Sequence, residues 1–139
     1  MLPPHTACRA ASSRPPAVNQ IEVHPRCQQA ALRACCAAHG IAVVAYASLG
    51  GGCSELLGDP TVQAVAAAER VSPAAALLLW GLQRGCAVIP RSSRRERIQA
   101  AAPAALLQLR LSDAALAALD ALEAQRGRLK ACWDPAGIA

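Results

Sequence analysis

Aromatic side chains are nearly missing from this 139-residue chain, which has no Phe, one Tyr and two Trp. So few rings exclude a base-stacking surface of the kind that holds single-stranded nucleic acid. Any core must instead be built from Ala, Leu, Val and Ile, which bury little area each. Lysine is almost missing too, Lys130 being the only one. Positive charge therefore rests on arginine, and although the net charge is +5, no block of five like charges occurs. The cysteines number seven, with no Cys-x-x-Cys pair and no finger-like Cys/His spacing. This excludes the usual zinc-finger pattern and reads as reduced, mostly buried thiols in a cytoplasmic protein. No apolar run is long enough to span a membrane, and the start Met1-Leu-Pro-Pro-His5 lacks the apolar block of a secretory signal.

What is present fits one globular domain, since 54% of the residues are hydrophobic. Residues 1–16 carry Pro3, Pro4, Pro15 and Pro16 and no acid, and read as an irregular, disordered lead. A mitochondrial presequence shares that basic, acid-free composition, but the prolines interrupt an amphipathic helix. Residues 17–128 form the candidate domain, and Leu129 to Ala139 a tail without regular period.

Within the domain, Ala17 to Val23 reads as a strand whose polar Asn19, Gln20 and Glu22 suit a strand end facing a site, with His24-Pro25 as its stop. Gln28 to His39 reads as a helix closed by Gly40. Ile41 to Tyr46 is a continuous apolar run, the pattern of a strand buried on both faces. A loop with three successive glycines follows, Gly50 to Gly52. Asp59-Pro60 and Ser72-Pro73 each open a helix, with the polar residue as cap and proline in the first turn. Ala87 to Ile89 is a further short strand. Ser112 caps a last helix, stopped by Gly127. Strands alternating with helices indicate parallel βαβ units, and three strands supply only part of a closed eight-stranded barrel.

The stretch Ala87 to Arg97 is the unusual one. Ser93-Arg94-Arg95-Glu96 fits a capping box, which starts a helix at Ser93. Arg94 and Arg95 then sit where the helix dipole is already positive, which is unfavourable unless an anion lies among them. Arg91, Arg94, Arg95 and Arg97 with a serine pair suit a phosphate. They suit a solvated basic helix end equally well.

Five stretches together resemble the C-terminal portion of the aldo-keto reductases. They are Pro16-Ala-Val-Asn-Gln-Ile-Glu-Val-His-Pro25, Ala45-Tyr-Ala-Ser-Leu-Gly50, Leu82-Gln-Arg-Gly85, Val88-Ile-Pro-Arg-Ser-Ser93 and Glu96-Arg-Ile98. The resemblance implies an α/β fold, the last three parallel strands of a (β/α)8 TIM barrel with their helices and a C-terminal extra helix. It implies NADPH-dependent reduction of aldehydes and ketones, hence a small-molecule carbonyl substrate, no nucleic acid and no membrane. It also implies cofactor roles. Gln20 matches the residue that bonds the nicotinamide carboxamide, and Tyr46 the residue that stacks on its ring. Leu49 and Gly50 lie in the loop over the pyrophosphate, and Arg91, Ser92 and Arg97 match the grip on the adenosine 2′-phosphate. On the residues alone, Tyr46 fits a core aromatic, Gln20 a satisfied interior amide, and His24 a structural histidine.

Departures from the family pattern weaken the implied cofactor site. Ala47 and Gly51 stand where the family has serines, and Ala100-Ala101 where it commonly has Glu-Asn. Each lost hydrogen bond is worth roughly 0.5–1.5 kcal/mol, so NADP(H) affinity should fall, Ser48 compensating in part. The matching region for the family's catalytic tyrosine, lysine, aspartate and histidine is absent, which leaves no catalytic residue to name. Two readings follow: a family member whose chemistry needs further strands, or a non-catalytic NADP-binding or interaction fragment. Exposed barrel edges favour self-association in either case.

Overall fold

The computed structural model describes Arg14 and residues 16–134, so the expected lead lies almost wholly outside the described residues. Three strands, β1 (Val18–Glu22), β2 (Ala42–Tyr46) and β3 (Cys86–Val88), form one parallel sheet in the order β1-β2-β3. The register pairs Gln20 with Val44 and Glu22 with Tyr46, and Val44 with Ala87. Alternation then sends Val18, Gln20, Glu22, Val44, Tyr46 and Ala87 to one face and Ile21, Val43, Ala45, Cys86 and Val88 to the other.

Helices cover only the second face. Helix α1 (Ala30–Ala38) links β1 to β2. Helices α2 (Ser54–Leu57), α3 (Pro60–Ala68) and α4 (Pro73–Gln83) link β2 to β3. Val43, Ala45 and Cys86 are buried with Val62, Val65, Leu77, Leu78, Leu79 and Trp80 in one core cluster. Six consecutive residues of α4, Ala76 to Gly81, are buried, as an all-round apolar helix requires. Trp80 is fully buried, and its indole N–H donates to Asp120 Oδ1 at 2.8 Å. Val44 is half-buried, so β2 is covered by helices on one side only, unlike the strand buried on both faces that its composition suggests. Among the described residues no single helix is long and apolar enough to cross a membrane.

The caps at Asp59, Ser72 and Ser112 form as expected, accepting from the amides of Thr61 (2.8 Å), Ala75 (3.1 Å) and Ala115 (3.2 Å). Two expectations need correction. The helix after β3 is α5 (Arg95–Ala100) with Arg94 at the N-cap, one residue later than the capping box implies. The Ser92 hydroxyl accepts from the Arg94 amide at 3.1 Å, a local turn that holds the chain out of helix through Arg94. Pro103 follows the end of that helix and opens α6 (Pro103–Leu106), because proline is tolerated in a first turn and not in a helix interior. The last helix is two pieces, α7 (Asp113–Asp120) and α8 (Leu122–Arg126). Beside the break the Asp120 carbonyl accepts from Gln28 Nε2 at 2.6 Å.

The chain after α8 has no regular structure, yet it is tied down. Arg26 is 8% exposed and donates to the carbonyls of Arg126 (3.0 Å) and Gly127 (3.2 Å), satisfying orphan acceptors at the helix end. The Leu129 amide returns to the Arg26 carbonyl at 2.7 Å, and the Gln28 amide donates to Glu123 at 2.9 Å. The turn after β1 thus anchors a segment about a hundred residues away in sequence.

Candidate functional site at the strand ends

The cofactor candidates fall in two places. Gln20 is exposed on the uncovered sheet face, and Tyr46 is half-buried two register pairs further along. After Tyr46 the chain turns sharply: Ala47 takes φ +51, a left-handed conformation unusual for alanine. Ser48 is buried and its hydroxyl donates to the Ala45 carbonyl at 3.1 Å, so that proton is already committed. Leu49 packs against the core. Gly50 is buried at φ +85, and a Cβ there would stand 3.1 Å from the Cys53 carbonyl oxygen and 3.2 Å from Leu56 Cβ. Only glycine meets both demands.

The second place lies beyond β3. Arg91, Ser92, Ser93, Arg94 and Arg97 line one cavity of about 510 Å³. Gln20, Tyr46, Leu49 and Gly50 do not border it. The ion pairs of the described residues leave Arg91, Arg94 and Arg97 out. Three guanidinium groups and two hydroxyls around one space, without carboxylate neutralisation, are a donor set for a dianion such as a phosphate monoester. Arg94 and Ser93 join Arg91, Ser92 and Arg97 there because the helix starts late and leaves residues 89–94 outside regular structure.

A third cluster was not foreseen from the sequence. The Glu22 side chain is fully buried and accepts from Lys130 Nζ, from the amides of Ala131 (2.6 Å) and Cys132 (3.1 Å), and from His24 (3.1 Å). Burial alone would raise this carboxyl, but the bonds from Lys130, Ala131, His24 and Cys132 outweigh it and hold Glu22 below its ordinary value. His24 is pushed down by burial, against the pull of Glu22, and so is neutral near pH 7. Its Nε2–H then donates to Glu22, while Nδ1 is buried without a partner among the described residues. The structural reading of His24 fits these contacts. Lys130 Nζ also lies over the Tyr46 ring, 5.9 Å from its centroid. The sequence carried one hint, a glutamate inside an otherwise barrel-like strand.

The geometry has clear relatives. The sequence profile of the Aldo/keto reductase family matches residues 4–124. An aldo-keto reductase of Mycolicibacterium vanbaalenii is 47% identical over 108 residues, which is 78% of this chain and 37% of that protein. An aldo/keto reductase of Synechocystis is 38% identical over 115 residues, covering 76% of this chain and 35% of that one. The chain thus spans little more than a third of each of these two relatives. Among solved structures, an aldose reductase from Giardia lamblia superposes with a TM-score of 0.82 at 30% identity, covering 94% of this chain and 44% of that one. A mutant of Gox0644 in complex with NADPH superposes with a TM-score of 0.80 at 29% identity, covering 91% and 45%. With a three-stranded parallel sheet that matches part of these barrels and a family profile spanning most of its length, this chain belongs to the aldo/keto reductase family.

Proposed function

We propose that this part of the barrel holds NADP(H), and that the complete fold it corresponds to is a cytoplasmic enzyme reducing small aldehydes and ketones to alcohols. The observation that carries the reading is the un-neutralised cavity of Arg91, Ser92, Ser93, Arg94 and Arg97. It offers forked, charge-assisted donors to a 2′-phosphate, which NAD(H) lacks. Gln20 offers its amide to the carboxamide, Tyr46 its ring face to the nicotinamide, and Leu49-Gly50 a loop over the pyrophosphate. The reduced nicotinamide supplies the hydride. The carbonyl oxygen then needs a proton from a tuned donor. The one Tyr in the chain is Tyr46, assigned to stacking, and the one Lys is Lys130, paired with Glu22. This chain alone is therefore inactive. Ala47, Gly51, Ala100 and Ala101 reduce its hold on the cofactor, and the Ser48 proton is committed to its own backbone.

Titration with NADP+ and NAD+, followed by tryptophan fluorescence or calorimetry, tests the binding half. NADP+ should bind more tightly, and Arg91→Ala with Arg97→Ala should abolish the preference, each arginine contributing about tenfold or more. Equal binding of the two nucleotides would sink the reading. NADPH oxidation with a small aldehyde tests the other half. Turnover above that of a Tyr46→Phe control would make the Tyr46 hydroxyl a proton donor and overturn the claim that this chain alone is inactive.

A further inference from the structure

The tail does not merely follow the last helix. It crosses the C-terminal end of the sheet on the face that carries Gln20 and Tyr46. Glu22 and Tyr46 are register partners on neighbouring strands, so their side chains rise from the same face. The tail backbone is fixed there by the Ala131 and Cys132 amides, and the Lys130 ammonium by the same carboxylate. Its next step touches the glycine loop. A Cβ on Gly51 would stand 3.2 Å from Cys132 Sγ and 3.6 Å from Ala131 Cβ. One fully buried carboxylate therefore fastens residues 130–132 across the end of β1, the end of β2 and the loop between them.

We propose that Glu22 is a positioning residue that straps residues 130–132 over the Tyr46 ledge, and that the seated Lys130 and the nicotinamide ring of NADP(H) exclude each other there. The second half rests on the cofactor reading given above. A cation over an aromatic ring and a flat ring stacked on it use the same π-surface. The arginine cavity is not bordered by any tail residue, so the adenosine end of the cofactor is free to bind with the strap in place. Full engagement at the nicotinamide end requires Lys130 to leave Tyr46. The strap thus lowers NADP(H) affinity without touching the phosphate grip.

The full chain, with Glu22→Gln and Lys130→Ala variants, separates the two halves. Hydrogen exchange without nucleotide reads the fastening: the Ala131 and Cys132 amides should be protected in the parent and lose protection in Glu22→Gln. Unprotected amides in the parent would overturn it. Lys130→Ala leaves the two backbone bonds to Glu22, so it serves where Glu22→Gln fails to fold. That variant should bind NADP+ roughly three- to tenfold more tightly than the parent. Its affinity for 2′,5′-ADP, which has no nicotinamide, should be unchanged. NADP+ affinity unchanged or weaker, with 2′,5′-ADP binding intact, would overturn the exclusion. No binding of 2′,5′-ADP to the parent would instead defeat the cofactor reading, and the exclusion with it, leaving the fastening to be judged by exchange.

Discussion

Glu22 and His24 make the chain acid-sensitive in two steps, and the sign follows from the direction of each shift. His24 is held below its ordinary 6.5 by burial. The unfolded chain therefore takes up a proton near pH 6.5 while the folded chain does not, and stability falls as pH drops below that value. Glu22 is held below its ordinary 4.5, so its contribution is complete above 4.5 and is lost as pH falls through the lower folded value. Lys130 and Glu123 are the other charges acting on His24. Denaturant unfolding at pH 7.5, 6, 5 and 4 should show a decline beginning near pH 6.5. His24→Gln should flatten the upper part only; an unchanged slope between pH 6.5 and 5 in that variant would refute the assignment. The residues that carry the family resemblance, Gln20, Tyr46 and Arg91 among them, were legible because each belongs to a short contiguous motif. Glu22 was not, because what makes it unusual is a partner 108 residues away, and no local pattern encodes that pairing. Ala47 was legible as a missing hydroxyl but not as a left-handed turn, since alanine gives no sign of φ +51.

Among the elements, caps that depend on one side chain and the next amides were readable, and those that depend on packing were not. Ser72-Pro73 spelled out its helix start, and the Ser72 hydroxyl accepts from the Ala75 amide. Ser93-Arg-Arg-Glu96 spelled out one just as plainly, yet α5 begins at Arg95 without a side-chain cap. Local propensity offered two nearby starts, and the Ser92 turn together with the extended exit from β3 selected the later one. The consequence is a pair of opposite expectations. Ser72→Ala should destabilise the fold by about 1 kcal/mol, while Ser93→Ala should change it by less than about 0.5 kcal/mol. Equilibrium urea unfolding of the two variants checks this, and a loss at Ser93 equal to that at Ser72 would mean that the capping box forms in solution. The short helix α2 had no readable signal at all. Four residues lie far below the length at which a helix is stable by itself, and Ser54–Leu57 is helical because Leu56 is fully buried and Glu55 pairs with Arg26.

At the scale of the whole molecule, the helices satisfy one face of the sheet and the tail covers only the strand ends of the other. The remainder of that face is open, with Val18 at 51% and Ile89 at 49% exposure and Gln20 and Ala87 exposed. Among the described residues, strands β1 and β3 each pair with β2 alone, so each also presents an unpaired edge. In the relatives this chain matches, more than half of the polypeptide lies outside the matched part, and a closed barrel leaves neither an edge nor an open interior face. The isolated part has both, and unpaired parallel edges beside exposed apolar side chains favour association. Light scattering on the eluting full chain should therefore give a mass above that of a monomer at micromolar concentration. A monodisperse monomer that melts cooperatively would count against this. Val18→Lys is the informative variant. It puts a charge on both the β1 edge and the open face, far from the core that α3 and α4 build, so it should shift the chain towards monomer without lowering its melting temperature. If Val18→Lys associates as strongly as the parent, the contact lies elsewhere, and exposed Leu107 and Trp133 on the helical and tail sides become the surfaces to alter. If association falls and NADP+ binding persists, the cofactor cradle is a property of three strands and their loops and does not require a closed barrel.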